Sequence, residues 1–215
     1  IHLYERDCSF QRRHQKMIEE TPCHILHKDV REKMAEDALK ACKHLGYFSL
    51  GTIEFLLDKH NNYYFMEMNT RIQVEHPITE MLTGVDLVKL QIQIAQGQKI
   101  PFLQEDIKPQ GYAIECRINA EDMNKNFAPN PGTIDFMHVP GGKGIRIDSA
   151  MYNGCTISPY YDSMILKLIA YAPTRLECIK KMRSALSEVI IDCIETNTKF
   201  HYYVLHSKDF ISGTY

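Results

Sequence analysis

Glu67, Asn69, Arg71, Gln73 and Glu75 occupy successive odd positions, with Met68, Thr70, Ile72 and Val74 between them. Carboxylates and an amide oxygen suit a hard cation. A guanidinium suits two-pronged capture of a planar oxyanion, and a further carboxylate can serve as a base. In one straight strand the row would run about 26 Å, at roughly 3.3 Å per residue, which is too long for one small-molecule site. A single site therefore requires the chain to bend after Asn69, and Pro77 limits how far a strand continues. The competing reading is an exposed edge strand of mixed charge.

A second pair of carboxylates arises from the segments flanking Lys59-His60-Asn61-Asn62, namely 52–57 and 63–68, which read as a β-hairpin. A symmetric loop puts Glu54 directly opposite Glu67. Like charges across a strand pair destabilise a sheet, and a divalent cation such as Mg²⁺ would offset them. Solvation, or pairing with a nearby Lys or Arg, would do so too, and a one-residue slip would separate the two carboxylates.

Other elements must position these groups. Ile1 to Glu5 alternates loosely and predicts a strand, followed by the basic stretch Gln11 to Lys16. Taken alone, that stretch suggests a phosphate or nucleic-acid contact, although a solvated basic run is the commoner explanation. Asp29-Val30-Arg31-Glu32 has the form of a capping box, and Val30, Met34, Ala38, Cys42 and Leu45 continue at helical spacing up to Gly46. A second helix is expected from Asp86 to Gln96, closed by Gly97.

Near residue 108 the character changes to short strands punctuated by glycine and proline, so the chain is divided into 1–108 and 109–215. Ile114, Cys116 and Ile118 alternate with Glu115, Arg117 and Asn119 as a half-buried strand. The runs 132–139 and 144–148 are expected to pair through Pro140-Gly141-Gly142-Lys143. That glycine cluster lacks the spacing of a phosphate loop and reads as a hairpin turn. A buried strand over 163–171 follows, then a helix capped by Thr174 and Glu177 that runs through Ile190.

Composition narrows the function. At 215 residues with 44% hydrophobic and 24% charged residues, the chain can bury a sizeable core. A net charge of −2 offers no electrostatic case for nucleic acid or an anionic membrane, and no apolar run approaches the roughly 20 residues of a membrane span. The seven scattered cysteines form no C-x-x-C pair, so free thiols in a reducing cytoplasm are expected. Most of the ten histidines, among them His44, His60 and His201, lack ligand spacing.

The block Glu67-Met68-Asn69-Thr70-Arg71-Ile72-Gln73-Val74-Glu75-His76-Pro77 resembles the active-site signature of biotin carboxylases. The likeness extends back through Glu5-Arg6-Asp7-Cys8-Ser9 and Gln11 to Lys16. It extends forward through Glu115 to Asp122 and Tyr160-Tyr161-Asp162-Ser163-Met164, so it covers nearly the whole chain in order. The resemblance implies an α+β fold: the carboxyl lobe of an ATP-grasp module, an antiparallel sheet with helices, followed by a β-rich C-terminal domain with a closing helix. It implies that Glu54, Glu67 and Asn69 serve Mg²⁺ or Mn²⁺ bridging ATP phosphates. Arg71, Gln73 and the Val74 backbone would hold bicarbonate, with Lys16 near, and Glu75 would deprotonate it. Arg117 would stabilise enolate-like charge on the biotin ureido oxygen, while Gln11 and His14 would lie toward the ATP ribose. Arg71, Glu75 and Arg117 are thus the implied catalytic set, which requires the junction of the two segments to form one wall of the site.

Family members carry an N-terminal nucleotide-binding-like domain and a glycine-rich lid ahead of this region, so the chain resembles a C-terminal half that is incomplete as an enzyme. Implied partners are a biotin carboxyl carrier protein, a carboxyltransferase and a second copy of the full-length subunit, within an acetyl-CoA carboxylase. Lys143 and Met123 depart from the family pattern, Lys143 where relatives have bulky apolar residues near a subunit contact. Two other functions compete: another ATP-grasp ligase such as carbamoyl phosphate synthetase, or a catalytically silent assembly module indifferent to mutation of Glu75.

Overall fold

The computed structural model describes residues 1–215. Backbone contacts divide them into two compact units that are not sequential. One comprises Ile1–Arg6 and Thr21–Gln110, the other Asp7–Glu20 and Gly111–Tyr215.

In the first unit, helix α1 (Lys28–His44) accompanies a two-stranded antiparallel sheet of β3 (Thr52–Leu57) and β4 (Tyr63–Asn69). The helix lies where the periodicity predicts it, but its cap does not. His27 is the N-cap and makes no side-chain capping bond, so Asp29 falls inside the first turn. There its charge favours the helix dipole instead of closing a capping box. The other end follows the glycine rule: Gly46 adopts φ +63°, with Gly46 N–H donating to Lys43 O and Tyr47 N–H to Cys42 O. Arg31 anchors α1 to Glu5 at 2.8 Å and to the Cys23 carbonyl at 3.0 Å. No residue from 27 to 72 is buried, and Leu56, Tyr64, Phe65 and Phe48 are all more than half exposed.

The expected strand at Ile1 to Glu5 does not form; those residues carry no regular structure. Loose alternation says only which side chains could share a face, and a strand also needs a partner ladder. Two helices follow β4: α2 (His76–Thr83), unforeseen in the sequence, and α3 (Leu87–Ala95). Pro77, expected only to limit a strand, stands in the first turn of α2, where its missing N–H costs nothing. Asp86 caps α3 by accepting from Lys89 N–H at 2.9 Å.

The second unit is built on a five-stranded sheet. Its order is β1 (Asp7–Arg12), β2 (Gln15–Thr21), β5 (Tyr112–Asn119), β7 (Met164–Ala172) and β6 (Ile145–Ser149). The basic stretch is therefore a hairpin. Arg12 pairs with Gln15 across a two-residue turn in which Arg13 and His14 both take positive φ. Helix α4 (Arg175–Glu188) covers one face with Cys178, Ile179, Met182 and Leu186 against Ile114, Cys116, Ile118, Leu166 and Leu168. Thr174 caps it as expected, accepting from Glu177 N–H at 3.3 Å.

Three expectations fail here, and the first paired runs that are near in sequence. Gly132–Thr133 pairs with Thr156–Ile157, Met137–His138 with Ile190–Ile191, and β6 with β7, so 132–139 and 144–148 are not partners. The α4 helix stops at Glu188 because Ile190 joins that short ladder. Nor is β5 half-buried: Glu115 on its polar side is 0% exposed. Helices α5 (Thr198–His206) and α6 (Lys208–Ser212) close the unit. Gly144 is required at its turn, where φ is +79° and a Cβ would lie 2.5 Å from the Tyr171 carbonyl.

Candidate active site

The bend required after Asn69 is present. Strand β4 ends at Asn69, residues 70–75 carry no strand, and α2 begins at His76. The polar row thereby folds onto itself. Glu54 pairs directly with Glu67, and between them sits the side-chain amide of Asn69, donating to Glu54 at 3.2 Å and to Glu67 at 2.8 Å. Gln73 donates to the same Glu54 oxygen at 2.7 Å, although 19 residues separate them. Arg71 donates to the Asn69 amide oxygen at 3.2 Å and to the Ile72 carbonyl at 3.1 Å, and otherwise stands exposed. Five of the expected side chains thus form one connected set.

The Glu54–Glu67 pairing arises differently from the symmetric loop. The pairs nearer the turn, Phe55–Phe65 and Leu57–Tyr63, are one step out of that register, and a bulge between Glu54 and Phe55 restores it. Bulges re-aim side chains beside functional sites.

Arg6 completes the set and is missing from the candidate residues. It donates to Gln73 Oε1 at 2.6 Å, to Thr79 Oγ1 at 3.0 Å and to Thr52 Oγ1 at 3.3 Å, and lies 3.9 Å from Glu75. A lone arginine has no periodic signature, and its partners lie 46 to 73 residues away. Only its place in the Glu5-Arg6-Asp7 block marks it. Glu75 is the N-cap residue of α2 and 2% exposed, so its carboxylate sits at the positive end of the helix dipole. Val74 beside it is half-buried.

A divalent cation fits this chemistry. Turning the Asn69 amide about its last torsion would present oxygen, beside two carboxylates, to one point. No cluster of three His, Cys, Asp or Glu side chains offers a closed site. Two carboxylates and an amide suit an ion that completes its shell with phosphate oxygens and water. The cysteines play no part in this set: none of the seven is in a disulfide, and burial pushes the Cys178 thiol up to about 12.

The remaining candidates lie in the second unit. Gln11 and Lys16 face each other across β1 and β2, Gln11 donates to the Cys8 carbonyl at 2.8 Å, and His14 occupies the hairpin turn. Arg117 projects from β5, and its guanidinium is held by the fully buried Glu19 at 2.5–2.6 Å. Its cross-strand neighbour Lys167 pairs with Asp148 at 3.2 Å, so the polar face of the sheet carries a row of opposite charges.

Two family models match this chain. Residues 1–103 match the carbamoyl-phosphate synthase L chain, ATP binding domain, which by itself would also suit other ATP-grasp ligases. Residues 115–215 match the biotin carboxylase C-terminal domain. The chain belongs to the biotin carboxylase family.

Biotin carboxylase 1 of Bacillus subtilis is 55% identical over 100% of this chain and 48% of its own length. The complete multifunctional pyruvate carboxylase from Rhizobium etli superposes with a TM-score of 0.97 at 40% identity, over 100% of this chain and 22% of the other. The biotin carboxylase domain dimer of Hydrogenobacter thermophilus 2-oxoglutarate carboxylase, solved with MgADP, ADP and bicarbonate, superposes with a TM-score of 0.97 at 52% identity. That likeness covers 99% of this chain and 47% of the other. The chain therefore spans about half the length of the biotin carboxylases it matches. The α+β expectation for a biotin carboxylase holds, with antiparallel sheets and helices in both parts. No helix is long and apolar enough to cross a membrane.

Proposed function

We propose that this chain supplies the bicarbonate-activating carboxylates and the biotin-side arginine of an ATP-dependent biotin carboxylase. The observation that carries the reading is the connected set Glu54, Glu67, Asn69, Arg71, Gln73, Arg6 and Glu75, gathered by the bend after Asn69. In lineage, 1–108 is the ATP-grasp carboxyl lobe and 109–215 the C-terminal domain, a division supported by the family matches.

Arg71 and Gln73 hold bicarbonate against the Val74 backbone, with Lys16 adding charge, and Gln11 and His14 face the ATP ribose. Glu75 removes the bicarbonate proton as its oxygen attacks the γ-phosphorus, breaking the bond to ADP and forming carboxyphosphate. Carboxyphosphate releases CO₂ and phosphate. The released phosphate takes the proton from biotin N1′, which bonds to the CO₂ carbon, while Arg117 stabilises the negative charge that develops on the ureido oxygen. Mg²⁺ or Mn²⁺ held by Glu54, Glu67 and Asn69 would neutralise phosphate charge as it shifts. Positioning and charge neutralisation carry the rate in such a reaction.

The working enzyme is larger than this chain, a reading supported by the uncovered surface from 27 to 72. Its partners are a biotin carboxyl carrier protein, a carboxyltransferase and a second copy of the subunit, as in the dimer solved for the Hydrogenobacter protein. We assign the parent assembly to an acetyl-CoA carboxylase, the parent implied by the resemblance of the signature blocks. Transfer of labelled bicarbonate to biotin, with ATP and Mg²⁺, tests the proposal. The chain alone should fold without turnover, and the complete subunit should turn over and lose activity on Glu75→Gln. A complete subunit indifferent to that substitution would leave the assembly-module reading standing.

A further inference from the structure

Helix α5 begins on Asn197, and that side chain is spent entirely on β5. Its Nδ2 donates to the Arg117 carbonyl at 3.0 Å, and its Oδ1 accepts from Asn119 N–H at 2.9 Å. Its own N–H donates to the Asn119 carbonyl at 3.2 Å. One turn later His201 places Nε2 2.8 Å from the same Arg117 carbonyl. A carbonyl only accepts, so Nε2 carries the hydrogen, and Nδ1 is left buried without a partner.

Both residues are 0% exposed. Burying an amide and an imidazole inside an apolar core is unfavourable unless their bonds serve a purpose, and an aliphatic side chain would pack there without an orphaned nitrogen. Two buried donors converge on one backbone oxygen, and it belongs to the residue whose guanidinium Glu19 fixes on the other side. Arg117 is thus constrained through main chain and side chain together.

We propose that Asn197 and His201 are positioning residues for the carboxyl-transfer half of the reaction, holding β5 so that Arg117 meets the biotin ureido oxygen. The proposal rests on the role assigned to Arg117 above. It predicts an effect on carboxybiotin formation and none on the phosphoryl-transfer half, which uses other residues.

The test uses the complete subunit that carries this chain, with two readouts. One is carboxybiotin formation, and the other is bicarbonate-dependent ADP release without biotin. His201→Leu should lower kcat for carboxylation roughly 10- to 100-fold, the usual range for lost supporting contacts, with KM for ATP and ADP release unchanged. His201→Gln keeps an N–H donor and should recover most of the rate. The inference is overturned if His201→Leu carboxylates at the wild-type rate, if both readouts fall together, or if the glutamine variant is as slow as the leucine one. Arg117→Ala separates the two readings: carboxylation at full rate in that variant removes the role of Arg117 itself, whatever His201 does.

Discussion

Glu54 and Glu67 stand directly opposite each other across β3 and β4, and the amide of Asn69 donates to both. Directly opposed like charges destabilise a strand pair, so the sheet is held short of its best stability at the point where a cation would bind.

Glu67→Gln should therefore separate stability from function. Without divalent metal the variant should be as stable as wild type or more so, by about 0.5 kcal/mol. The stabilisation that Mg²⁺ with nucleotide confers on the wild type through ligand linkage should disappear. Thermal melts of the complete subunit with and without Mg²⁺ and ADP check both halves, and an unchanged metal response would sink the assignment.

Arg6 should prove as sensitive as the residues it holds. Its removal leaves Glu75 and Gln73 buried without that partner, and breaking a buried charge pair from one side costs about 3 kcal/mol or more. Arg6→Met should lower the urea midpoint and depress carboxylation although Glu75 is intact. Arg6→Lys should recover less than half of either, because an ammonium cannot reproduce a guanidinium fork.

Arg175 and Glu20 form the corresponding buried pair in the second unit, with contacts at 2.7 and 3.0 Å. Arg175 also donates to the Phe210 and Ile211 carbonyls, and Tyr215 donates to Glu20 at 2.6 Å. Arg175→Met should cost about 3–5 kcal/mol in denaturant unfolding. The double variant Arg175→Met/Glu20→Met should be less damaging than the sum of the singles, because each single strands a buried charge.

His201 gives the second unit a dependence on pH. Burial drops its imidazole to about 4, from an ordinary 6.5. Between those values the unfolded chain binds a proton and the native one does not, so stability falls as pH drops from 6.5 towards 4 and then levels. The linkage is worth roughly 3 kcal/mol across the window. His201→Gln should flatten that part of the stability–pH curve, and an unaltered slope would place the titration elsewhere.

Local signals are legible where local forces decide. The helical spacing from Val30 to Leu45 with Gly46 behind it, the helix after Asp86, the Thr174 cap, and the bend demanded by a 67–75 row too long for one site all appear as read. What misleads is adjacency or local pattern. The pairing of 132–139 with 144–148 assumes that nearby runs pair, while the strand at 1–5 and the extension of α4 to Ile190 follow a local pattern that distant partners overrule.

By itself the sequence determined the helices, the β3–β4 hairpin and the family, because turns, caps and periodicity act over a few residues and signature blocks survive as strings. Helix α2, hidden behind Pro77, and the C-terminal helices α5 and α6 escaped that reading. Tertiary structure alone decided that Arg6 reaches Gln73, that a bulge sets Glu54 against Glu67, and that Asn197 and His201 grip the Arg117 carbonyl from 80 and 84 residues away. Those contacts depend on which strands become neighbours. Neighbours are chosen by packing the whole chain, and no window of residues contains that choice.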